Sequence, residues 1–148
     1  MSPAELLGAV MVLVASGVLG ILAHEFAHAL ALRAFGIAFR IDWLPDGREE
    51  GLLGMIFLGK LAAVTPTRFP HADAALRLRI SSMMPLALLV PLATIPLGVV
   101  PGSLVADSLF AKVALIGWCA CALPSPQDFS VLWYAPRVVA KKRAARKK

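Results

Sequence analysis

The chain has 148 residues, 59% of them hydrophobic and 16% charged, with a net charge of +6 and a mean hydropathy of +0.77. A single domain of that length has too little interior to hide so much apolar surface, which excludes an ordinary soluble globule and points to an integral membrane protein. Seven of the fifteen Lys and Arg lie in RVVAKKRAARKK, residues 137–148. After an apolar segment such a stretch reads as a basic cytoplasmic tail, and with no folded basic domain beside it nucleic acid is not an expected partner.

Taken in chain order, Leu6 to Ala23 is free of charge, and apolar character resumes after a His/Glu cluster as far as Ala34. This predicts a first transmembrane helix over about 4–35, long enough at 1.5 Å per residue to cross a bilayer. Arg33 and Gly36 suit its last turn and its stop. The segment has no basic flank before it and is expected to be retained rather than removed as a signal peptide.

Residues of about 37–68 change period. IAFRIDW alternates, with Ile37, Phe39, Ile41 and Trp43 on one face. LPDGREEG has turn chemistry, and LLGMIFLGKLAAVT reads as one or two short strands. Together they predict a membrane-associated β-hairpin or small sheet, the backbone of which must be covered by protein or water.

A second transmembrane helix is expected over about 72–100, with Arg77 and Arg79 near its start and kinks at Pro85, Pro91 and Pro96. His71 and Asp73 just ahead of it read as its cap. A third helix, about 103–123, contains Asp107 and Lys112, an expected pair. It also contains Cys119 and Cys121, which lie two apart and so face different ways; they are read as packing residues. PSPQD then breaks the helix, and an interfacial segment over about 128–140 follows, with Trp133 and Tyr134 at headgroup level.

The expected fold is therefore mainly α: a three-helix transmembrane core with a β-hairpin or small sheet between helices 1 and 2. It forms one membrane domain, 1–136, followed by the basic tail. The distribution of Lys and Arg orients a multi-pass chain with its amino terminus outside and its carboxyl terminus cytoplasmic.

Chemistry concentrates in HEFAH, residues 24–28. His24 and His28 lie one helical turn apart, so both rings can reach one ion, and imidazole suits zinc. Glu25 is rotated about 100° from His24, beside the ion rather than on it, where a general base belongs. Ionisable side chains in lipid are costly without such a function. Catalytic zinc takes three protein ligands and leaves one position open. Asp128, after the PSP break at the inner end of helix 3, is the expected third ligand for one Zn2+ ion, with Asp107 the alternative.

The pattern resembles the site-2 protease-like intramembrane zinc metalloproteases, in a small and divergent zincin branch. The resemblance rests on His24, Glu25 and His28 in the first core helix, a β-hairpin after it, ALRLRISSMMP opening the second, and LPSPQDF with Asp128 closing the third. It covers nearly the whole chain. The chain departs from the family where Ser125-Pro126 stands in place of Asn-Pro and Phe129 in place of glycine, so Ser125 or Gln127 would have to supply the usual substrate hydrogen bond. The resemblance implies a metallopeptidase that cleaves a transmembrane or membrane-proximal peptide. Such a peptide could be presented as an added strand on the hairpin, the edge 37–43 being the expected dock.

Two alternatives stand beside the endopeptidase. One is a catalytically silent zincin-like membrane subunit that acts as a scaffold or complex partner; the other is a metal transporter, which would usually need more helices and more intramembrane carboxylates.

Overall fold

The computed structural model describes residues 1–43, 62–99 and 101–145. The expected turn at 44–51 and any strand before 62 lie outside the described residues.

Helix α1 runs Pro3–Ala34. Ser2 starts it with a capping box: its hydroxyl accepts from the Glu5 N–H at 3.2 Å, and Glu5 Oε2 accepts from the Ser2 N–H at 2.6 Å. Gly36 stops it. With φ at +66°, Gly36 donates to the Arg33 carbonyl and Ile37 to the Leu32 carbonyl, at 3.0 and 2.9 Å. These paired bonds form a Schellman motif, completed by the contact of Leu32 with Ile37 in the core.

Strand β1 (Ala38–Trp43) pairs antiparallel with β2 (Ala62–Arg68), with Ile41 opposite Val64 and Phe39 opposite Pro66. Proline has no N–H to give a neighbouring strand, so Pro66 fits only where its nitrogen faces away from β1. Its alternate neighbours Val64 and Ala62 then also turn their N–H groups to the outer edge of β2.

Helix α2 covers Ala74–Ser82 and passes into a 3-10 helix, Met84–Thr94, bent 42° from it. The expected single helix over 72–100 therefore does not form. Pro85 and Pro91 remove donors that an α-helix would need, and the chain winds tighter instead. A short helix α3, Ser103–Ala106, precedes α4, Leu109–Ala122, so the expected third helix is interrupted at Asp107 and Ser108. Asp107 is exposed there, and the expected ion pair with Lys112 is not among those of the described residues. Leu123 is extended (φ −74°, ψ 141°), the conformation that the following Pro124 favours. Helix α5, Pro126–Ala145, begins two residues earlier than the expected interfacial segment and continues past 136 without a break.

Pro3–Ala34 and the stretch Leu109–Ala145 are each long and apolar enough to cross a membrane; the bent pair adds a third if it counts as one crossing. Their outer faces carry exposed Leu7, Met11, Leu19 and Ile116, as lipid contact requires. The buried core is small and sits where these elements meet: Leu32, Ile37, Phe69, Ala74, Leu78, Ala135 and Val139.

Cations expected to mark the cytoplasmic flank also fasten backbone. Arg77 donates to the Phe35 carbonyl at 3.0 Å and Arg79 to that of Leu132 at 2.9 Å. Lys142 donates to the Pro66 carbonyl and Arg143 to that of His71, which ties α5 to the end of β2. Asp73 occupies the cap position of α2 but makes no capping bond. Its carboxylate accepts from Arg77 Nε at 2.9 Å, and that guanidinium holds the carboxyl below the usual carboxylate range.

Small residues let α1 and α4 touch. A Cβ on Gly20 would lie 2.7 Å from the Cys121 Cβ, and one on Gly117 would collide with Ser16 Oγ. Gly20→Val should therefore lower stability by about 1–3 kcal/mol through overpacking. Gly17→Ala, with nothing within 4 Å of the added atom, should match or exceed the wild type. Thermal unfolding in detergent micelles compares the two.

Candidate metal centre

Four helices meet at the histidines. His24 and His28 project from the carboxyl-terminal half of α1, roughly 9–15 Å before its end at 1.5 Å per residue. Asp128 projects from the first turn of α5 and is 8% exposed, as is His24. The rings of His24 and His28 stand edge to face, with centroids 4.8 Å apart and planes at 79°.

Each ring is held by its Nδ1. His24 Nδ1 donates to the Cys121 carbonyl at 2.7 Å, in the last turn of α4. His28 Nδ1 donates to the Ser81 carbonyl at 2.7 Å, in the last turn of α2. A carbonyl oxygen only accepts, so both Nδ1 atoms carry the proton. In a neutral ring Nε2 is then left with a bare lone pair, and the two Nε2 atoms face each other at 3.2 Å.

The carboxylate of Asp128 closes the group. Oδ1 lies 2.9 Å from His28 Nε2, and Oδ2 lies 3.2 Å from His24 Nε2. Asp128 is aimed by a reciprocal cap: its Oδ2 accepts from the Ser125 N–H at 2.7 Å, and Ser125 Oγ accepts from the Asp128 N–H at 3.2 Å. Ser125 thus orients a candidate ligand, whereas the sequence suggested a substrate contact for it; its neighbour Gln127 is exposed. His71 and Asp107 stand outside the group.

Three electron-pair donors converge within 4.8 Å of one another, all buried, and can hold a metal ion. A proton would serve one pair of them, but a single cation satisfies all three at once. The residues fit such an ion in kind, in number and in second-sphere support, since each ring's other nitrogen is tied to the backbone.

Glu25 points elsewhere from the same turn. Its Oε2 accepts from the Val64 N–H at 3.0 Å, on the outer edge of β2. The strand edge that meets Glu25 is therefore that of β2 and not the expected 37–43 edge of β1. Between α1 and the sheet lies a cavity of about 510 Å³. Glu25 sits in its wall among Leu22, Phe26, Ile41, Trp43 and Val64.

Two features went unread in the sequence. The Val64 contact depends on tertiary placement and left no local signal. Ser125 with Asp128 three residues on is the S-x-x-D signature of a helix start, which was there to be found.

Asp128→Asn preserves shape and removes one charge. It should weaken metal binding by more than the about 10–100-fold typical of losing an outer-sphere hydrogen bond. Competition with a chromophoric chelator measures this, and helix content by circular dichroism should not change. Scans of protein-family models, curated proteins and solved structures found no match to this chain.

Proposed function

We propose that the chain is a zinc-dependent intramembrane endopeptidase of the site-2 protease type. The observation that carries this reading is the convergence of His24 Nε2, His28 Nε2 and an Asp128 oxygen, with Glu25 in the same helical turn. Zinc bonds of about 2.0–2.1 Å in a tetrahedron set ligand atoms about 3.3 Å apart. The two Nε2 atoms lie 3.2 Å apart, and each has one Asp128 oxygen near it, Oδ2 at 3.2 Å from His24 and Oδ1 at 2.9 Å from His28, which supports such an ion. Its two charges would also balance the carboxylates of Glu25 and Asp128, which favours the group at membrane depth. In this reading the bent pair α2 and 3-10 helix makes the third crossing. The amino terminus lies outside and the carboxyl terminus in the cytoplasm.

When bound, zinc would lower the pKa of a water molecule and polarise the scissile carbonyl. The chain supplies the rest. His24 and His28, locked by the Cys121 and Ser81 carbonyls, hold their Nε2 lone pairs on the ion. Asp128, locked by Ser125, completes the set. A helical substrate hides its amides in internal bonds, so the peptide must be extended. The outer edge of β2 offers a strand to pair with, and a paired peptide would take the Val64 N–H from Glu25. Glu25, so released, accepts a proton from the attacking water and delivers it to the amide nitrogen as the C–N bond breaks. The apolar walls of the cavity suit the side chains of a transmembrane peptide.

The bond from Val64 to Glu25 also favours a second reading, a catalytically silent membrane scaffold in which Glu25 only anchors β2. One pair of proteins separates the two. Glu25→Gln should keep its zinc and lose about 10²–10⁴-fold in cleavage of a fluorogenic membrane-peptide substrate, as expected on removing a general base. Equal turnover in both proteins would overturn the endopeptidase reading. Bound zinc without turnover in either, across a panel of membrane peptides, would favour the scaffold.

A further inference from the structure

A carbonyl inside a helix is normally engaged by the N–H four residues on. The two carbonyls that hold the histidines lack the bond of an α-helical partner for a reason written in the chain. The α-helical partner of the Ser81 carbonyl would be residue 85, and residue 85 is proline, which has no N–H. The α-helical partner of the Cys121 carbonyl would be Ser125, the N–H of which goes to Asp128 Oδ2. The tighter 3-10 partner would be residue 124, again proline.

A third case shows the same logic away from the site. In the 3-10 helix the Leu88 carbonyl would take its bond from residue 91, which is also proline, and it accepts from Trp118 Nε1 at 3.0 Å instead.

We infer that Pro85 and Pro124 are positioning residues: by withholding an N–H, they leave the Ser81 and Cys121 carbonyls to fix His28 and His24 in the Nδ1–H tautomer. Pro85 is fully buried beside this contact, so its ring packs as well as breaks the helix. The missing donor is the feature that orients the imidazole. The inference needs only the hydrogen bonds, and it stands whether or not the ion is zinc and whether or not the chain cleaves peptides.

The test reads each imidazole by nitrogen-15 NMR in full-length, metal-free protein in micelles. Wild type should show a hydrogen-bonded Nδ1–H signal on both rings, whatever Nε2 carries. Pro85→Ala restores a donor to the Ser81 carbonyl and should convert His28 to a tautomer mixture while His24 stays as it was. Pro124→Ala should do the reverse. Zinc affinity, read by chelator competition, should fall about 10–100-fold in each, as for other losses of a ligand's outer-sphere partner. Replacing residue 85 by the α-hydroxy analogue of alanine, which has neither ring nor N–H, should restore the wild-type spectrum. A folded Pro85→Ala protein with His28 unmoved overturns the inference. Should Pro85→Ala fail to fold, the α-hydroxy variant decides alone. A retained Nδ1–H signal on His28 supports the missing donor, and a lost signal or a lost fold assigns the effect to the ring.

Discussion

Two imidazoles that each give the Nδ1 proton to a carbonyl must turn their other nitrogens toward whatever lies between them. That constraint organises the molecule. The Cys121 and Ser81 carbonyls fix the proton on Nδ1, the helical spacing brings the Nε2 atoms to 3.2 Å, and Asp128 adds a third acceptor. Acceptors crowded in this way in a medium of low polarity repel one another unless a cation joins them. Three separate elements, α1, the end of α2 and the α4–α5 junction, each supply one part. The architecture of this end of the molecule is the set of contacts that brings those three together.

The sheet serves the same place from another side. Two strands are marginal on their own, and this pair leans on α1 through Glu25 and on α5 through Lys142. Among the described residues no further strand pairs with its outer edge, and such an edge would be a hazard in water, since unpaired N–H and C=O groups recruit other chains. Here the edge is occupied at Val64 by a carboxylate and at Pro66 by an ammonium. Both are side chains that can let go, unlike a third strand.

What could be read from the residues follows the range of the interaction. HEFAH was legible because i, i+4 spacing is local, and the end of α1 at Gly36 was legible because a Schellman stop has a local signature. Asp128 could be reached only through the break at PSP and a family resemblance, since 100 residues separate it from His28. The carbonyl partners of the rings could not be read at all: a backbone oxygen has no sequence identity, and which one is free depends on a proline three or four residues away. The prolines themselves were seen, but as kinks in one long helix. Their number and spacing turn 84–94 into a 3-10 helix instead. Ser125 carries a local capping pattern with Asp128 beside the family position that suggests a substrate contact.

The distance along the chain between the partners bears on how the protein is made. His24 and Glu25 emerge from the ribosome in the first helix, while Asp128 follows 104 residues after His24. At translation rates of about 5–20 residues per second the delay is on the order of 5–20 s. Throughout it, a membrane-inserted α1 would carry two imidazoles and a carboxylate with α5 not yet present to receive them, α2 and α4 following only along the way. The nascent segment therefore has reason to linger in the translocation machinery, or with its polar turn at the water boundary, until the last helix arrives to dock.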